Sequence, residues 1–127
     1  MPIPNPALFG ARLMDPETTK LFTDLRSVSN GITALAGGTQ AGSPLTNVFS
    51  RVTTVATAGD SVLLPVAVPG RVLFVINAAA ANSMNVFPNT GDAINAIAAN
   101  GAFAMAANKM AMFACAVAGT WNTNLTA

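Results

Sequence analysis

The chain contains no histidine and no tyrosine, and only one cysteine and one tryptophan among its 127 residues. Without histidine, every triad or dyad that uses imidazole as general base is excluded, and so are histidine metal sites. With one thiol, Cys115, no internal disulfide can form; its place in an alternating apolar run reads as a buried thiol behaving as a small hydrophobe. Charge is equally scarce: six basic and five acidic side chains leave a net charge of +1. The basic residues are dispersed, so the electrostatic footprint of a nucleic-acid or anionic-membrane binder is missing, and neither partner is expected. The longest unbroken apolar stretch, Met110 to Ala118, falls well short of the roughly 18 to 20 residues of a membrane helix. The opening Met-Pro-Ile-Pro-Asn-Pro lacks the basic segment and apolar run of a secretory signal, so synthesis and assembly in a cytoplasm are expected.

What is present is apolar and finely divided. From residue 27 onward the only charged side chains are Arg51, Asp60, Arg71, Asp92 and Lys109. Solubility normally comes from scattered charge and from the absence of large apolar patches. Part of this surface is therefore expected to be buried between subunits, which points to a building block and away from a catalyst. The length allows one compact domain plus an arm.

Residues 1–14 read as an extended arm, because Pro2, Pro4 and Pro6 deny the segment regular backbone pairing. Its apolar members Ile3, Leu8, Phe9, Leu13 and Met14 would be out of place in a solvated tail, so the arm is expected to lie against a neighbour. Asp15-Pro16-Glu17 then signals a helix start: a capping carboxylate, a proline suited to the first helical position and an acid favourable to the dipole. The spacing of Leu21, Leu25, Val28, Ile32 and Leu35 predicts one short helix within residues 15–36, its main run ending near Asn30-Gly31. That stripe reads either as the buried side of an amphipathic helix lying on its own domain, or as the seam of a three-helix cluster on a symmetry axis. Residues 37–46, rich in glycine and without periodicity, read as a linker.

Residues 47–127 form the expected β body. Strands are predicted at 48–56, 61–66, 71–77, 84–88, 92–97, 102–106, 109–117 and 120–123, separated by turn formers such as Ala58-Gly59-Asp60, Pro69-Gly70, Asn89-Thr90-Gly91-Asp92 and Asn100-Gly101. Breakers at intervals of about 8 to 12 residues predict an antiparallel β-sandwich, jelly-roll-like, in a mainly β chain. Alanine-rich stretches such as Ala78 to Ala81 argue for helix on propensity alone, but the intervals between breakers are too short for one. Phe49, Phe74, Phe87, Phe103, Phe113 and Trp121 fall one to a strand, as a core requires, with Trp121 closing one end. Met84, Met105, Met110 and Met112 suit irregular gaps at an interface.

A search for chemistry finds little. Asp60 and Asp92, each beside glycine, are expected to accept backbone amide bonds in turns. Lys109 reads as a solvated turn lysine rather than a desolvated catalytic amine, and Arg71 as the partner of a carboxylate on another loop. Gly37-Gly38 with Gly42 lacks the lysine of a phosphate cradle. No enzyme activity, cofactor or metal is expected.

The ordered set Leu64-Pro65, Pro69-Gly70, Val75-Ile76-Asn77, Ala81-Asn82-Ser83, Val86-Phe87-Pro88, Gly91-Asp92, Ile94-Asn95, Phe113-Ala114-Cys115 and Gly119-Thr120-Trp121 resembles a β-rich module of small structural proteins in tailed-bacteriophage virions. It spans about the last half of the chain, and its elements are turns and core residues, so it implies architecture better than task. The resemblance implies a capsid decoration (cement) protein that self-associates, as a trimer or alternatively a dimer, and binds the major capsid protein on the outer surface of the head. The expected contacts are Ile3, Leu8, Phe9 and Leu13 in the arm and Leu21, Leu25 and Val28 along the helix seam. Two other readings stand beside it: a tail or head-fibre component, trimeric and receptor-facing, and a carbohydrate-binding module using Trp121.

Overall fold

Buried and more exposed positions alternate along the strands from Phe49 to Val117, the period of two of a pleated backbone. A computed structural model describes residues 27–124, which form ten strands and no helix. In chain order they are β1 (Val28–Thr33), β2 (Ser43–Pro44), β3 (Phe49–Thr54), β4 (Ser61–Leu63), β5 (Val72–Asn77), β6 (Met84–Phe87), β7 (Ala93–Ile94), β8 (Phe103–Met105), β9 (Lys109–Val117) and β10 (Thr120–Thr123). Every interval of the body predicted as strand contains one, so the chain is mainly β as expected.

The connectivity differs from the expected antiparallel sandwich. Strands β1 to β6 alternate between two sheets, so each strand's neighbour in its own sheet is the next strand but one, running parallel to it. This makes a solenoid-like stack in which Val28, Phe49 and Phe74 lie side by side although 21 and 25 residues separate them along the chain. The stack is then closed by strands of opposite sense: β9 runs antiparallel to β5, and β8 antiparallel to β6. Hairpin strand β10 adds to β9, with β7 parallel beside it. The result is a mixed six-stranded sheet in the order β1-β3-β5-β9-β10-β7 and a mixed four-stranded sheet in the order β2-β4-β6-β8. A jelly-roll requires antiparallel neighbours throughout each sheet, and these sheets do not have them.

The helix predicted for residues 15–36 is also corrected where it can be seen. Residues 15–26 lie outside the described residues, and from Val28 onward the chain is strand. Of the described members of the apolar stripe only Ile32 packs against the core; Val28 and Leu35 are exposed. Gly31 explains the change of face. Its φ of +84° opens a bulge between Asn30 and Ile32, so that Ile32 pairs with the buried Val52 instead of falling on the outer face.

Residues 37–46, expected as a linker, belong to the body. They carry β2, bury Leu45, and pin a turn through Gln40, whose side-chain amide donates to Pro88 O and Asn100 Oδ1 at 2.9 Å each. Gly38 is required here: a Cβ on it would stand 2.7 Å from Gly59 O, so the two turns touch backbone to backbone.

The core lies between the sheets. Val52, Val75 and Phe113 from one sheet meet Val62, Val86 and Phe103 from the other, and Phe103 meets Phe113 edge-on at 5.9 Å between ring centroids. Burying each of these side chains contributes about 1.5–3 kcal/mol, so the inner faces dominate stability. Trp121 is fully buried, its indole N–H donating to Pro65 O at 3.3 Å, and Cys115 is buried as expected. The remaining aromatics depart from the core reading: Phe49, Phe74 and Phe87 are only half-buried and point outward from their sheets.

Candidate interaction surfaces

The alternation that buries Leu73, Val75, Ala111 and Phe113 turns their neighbours outward, and here those neighbours are also apolar. Pairing of β1, β3, β5 and β9 assembles them into rows on the outer face of the six-stranded sheet. One row runs Val28, Phe49, Phe74, Met112, and the next runs Asn30, Arg51, Ile76, Met110. Val28 is 62% exposed, Met110 56% and Met112 38%. Arg51 is the one charged side chain within these rows, and it donates to Asn30 Oδ1 at 3.0 Å.

A second apolar surface lies at one end of the molecule. Val66 and Val68 flank the buried Ala67 in the connection before β5, and Val117 stands at the β9–β10 hairpin. Gly119 N–H donates to Ala67 O, and Gly70 N–H to Cys115 O, which holds loop and hairpin together.

The distribution of charge sharpens the contrast. Both carboxylates among the described residues are turned inward and occupied: Asp60 Oδ2 accepts from Thr57 N–H at 2.9 Å, and Asp92 Oδ2 from Ala67 N–H at 2.8 Å. These are the turn roles expected for them. Arg51, Arg71 and Lys109 are exposed, so every charge that the described residues offer to solvent is positive. Among the described residues Arg71 meets no carboxylate; it donates to Val66 O at 2.9 Å, while Asp60 and Asp92 are buried and bonded to backbone amides.

Of the contact residues expected from the sequence, Ile3, Leu8, Phe9, Leu13, Leu21 and Leu25 lie outside the described residues. Val28 is present, exposed, and at the corner of the outer face. Phe49, Phe74, Met110 and Met112 join it there; the first two are expected in the core, and strand-by-strand alternation alone does not say which face is inner. Met84 and Met105, expected with the other two methionines at an interface, are fully buried.

Two recesses lie among the described residues. One, of about 480 Å³, lies beside Arg71 and is lined by Leu45, Asn47 and Pro65 among others; the second, of about 450 Å³, has Asp60 and Asn85 in its wall. Their charged groups are already bonded to backbone, and neither recess pairs a nucleophile with a base. Among the described residues no group of three potential metal ligands occurs, and no helix is long and apolar enough to cross a membrane. Compared with protein-family models, curated proteins and solved structures, the chain matches none.

Proposed function

We propose that this chain is a structural protein of a tailed-bacteriophage virion, a capsid decoration protein. In this reading it self-associates and fastens to the major capsid protein through its N-terminal arm. The observation that carries the reading is the imbalance of the surface. Eight large apolar side chains are exposed among the described residues, including Val66, Val68 and Val117 at one end, against three exposed charges. A surface of that kind is characteristic of protein contact. The turn and core residues that carry the resemblance to phage virion modules support it independently. The burial of Trp121 counts against a sugar-binding platform, which needs an exposed ring.

Mechanism in this reading is buried area, repeated at many sites on one shell, where linkage raises effective concentration without new chemistry. The test mixes empty heads with the full chain and with a chain carrying Leu8→Asp and Phe9→Asp. The full chain sediments with heads and the variant stays in the supernatant. Equal sedimentation of both, or of neither, refutes the arm as the fastening element. Labelled particles under the electron microscope then separate uniform shell decoration from a few projecting fibres, and light scattering gives the subunit number.

A further inference from the structure

We propose that residues 15–26 of the same chain cover the outer face of the six-stranded sheet between β1 and β9. The occupant is argued from size, position and charge, and it does not depend on what the arm binds.

Four strands spaced about 4.8 Å apart and two side-chain rows about 7 Å apart make a patch of roughly 15 Å by 10 Å. That is roughly 150 Å², far below the roughly 800 Å² per partner of a stable interface between folded proteins. A second folded copy is therefore poorly held by this patch alone. One helix, about 10 Å across, or one extended segment matches it.

Position selects which segment. Residue 27 adjoins Val28, whose exposed side chain begins the row Val28, Phe49, Phe74, Met112. The twelve residues before it reach about 18 Å as a helix and about 40 Å extended, so either form crosses from β1 to β9. Tethered at the patch's own corner, the segment acts at a millimolar effective concentration that a separate molecule does not reach.

Charge and hydrophobicity agree. The segment carries Leu21, Phe22 and Leu25 for the apolar rows, and its acids Asp15, Glu17 and Asp24 outnumber its own Lys20 and Arg26, which leaves a carboxylate for Arg51, the cation within those rows. Asp60 and Asp92 are buried and occupied, so these three are the carboxylates before the body that remain for that role. The apolar spacing of Leu21, Leu25 and Val28 then marks one continuous strip folded back at residue 27, with Val28 in the floor and Leu21 and Leu25 in the cover.

The test uses the full chain with Met112 replaced by p-benzoylphenylalanine, irradiated in dilute solution and digested for mass spectrometry. The expected product is a link from position 112 to a peptide within residues 15–26, formed inside single chains. A link to a body peptide of another copy, a link to residues 15–26 of another copy, or no peptide link overturns the proposal. The same probe at Phe74 serves if the first variant does not fold. Leu21→Asp combined with Leu25→Asp is expected to abolish the link, and an undiminished link in that variant overturns the proposal too.

Discussion

Phe49 and Phe74 stack with ring centroids 4.9 Å apart and planes within 9°, and they are register partners on the parallel strands β3 and β5. In-register parallel strands bring side chains to a separation near the strand spacing of about 4.8 Å, so the stack follows from the pairing itself. The pair sits on the outer face, where packing against the core cannot account for its geometry. Replacing each ring by leucine, singly and together, isolates the ring–ring contribution. A coupling energy of about 0.5–1.5 kcal/mol is expected from urea unfolding of the four proteins. A coupling near zero would mean that the rings are neighbours by register alone.

Asn77 is fully buried at the end of β5, where it adds side-chain bonds to its register pairing with Val52 and Lys109. Its amide donates to Asn82 O and Met105 O, and its carbonyl accepts from Ala79 N–H, so one side chain joins three parts of the chain. Asn77→Leu leaves those three backbone groups without their partner in the interior. The expected loss is about 2–4 kcal/mol, more than a conservative exchange at the outward-facing Ile76. Chemical denaturation of Asn77→Leu beside Ile76→Val checks the difference.

Asp92 closes a turn and also reaches across the fold. Its Oδ2 accepts from Ala67 N–H, and its carbonyl accepts from Asn100 N–H, tying the loop before β5 to the loops around β7. Asp92→Ala strands a buried amide and is expected to cost about 1–3 kcal/mol. Asp92→Asn keeps an acceptor but loses the charge-assisted bond, so it is expected to fall between wild type and alanine. Thermal unfolding of the three proteins gives the order, and hydrogen exchange at Ala67 N–H reports the bond directly.

These residues show which parts of the fold the sequence makes legible. Turn formers and alternation locate every strand from β3 onward, because a breaker every few residues leaves room for nothing longer, whereas β1 and β2 read as helix and linker. They do not say whether the chain turns back within one sheet or crosses to the other, since both connections use the same glycine and asparagine. The clue to crossing is the distance between like positions: Val28, Phe49 and Phe74 recur at 21 and 25 residues, the kind of period that marks stacked repeats. Asn77 is illegible for another reason. A polar residue at a strand end reads as the start of a turn, and only the fold reveals three partners around it. The surface is half legible: scarcity of charge foretells apolar exposure, but two outward phenylalanines look the same in sequence as two inward ones.

The stripe of Leu21, Leu25, Val28, Ile32 and Leu35 misleads through a single residue, and that residue is testable. At Gly31 nothing lies within 4 Å of the position a Cβ would take, so space does not explain the glycine. Its backbone does, at φ +84°, a conformation that costs a residue with Cβ about 1–2 kcal/mol and a β-branched one more. Gly31→Val is therefore expected to destabilise by at least about 1 kcal/mol, and Gly31→Asn by less, because asparagine tolerates positive φ. If valine instead removes the bulge, Ile32 shifts off Val52 and toward solvent, since a one-residue slip exchanges the faces of a strand. Hydrogen exchange along β1 distinguishes the two routes: strain alone preserves the protection pattern of Ile32 and Ala34, whereas a slip transfers protection to their neighbours. Wild-type stability in the valine variant would show that the bulge does not depend on glycine.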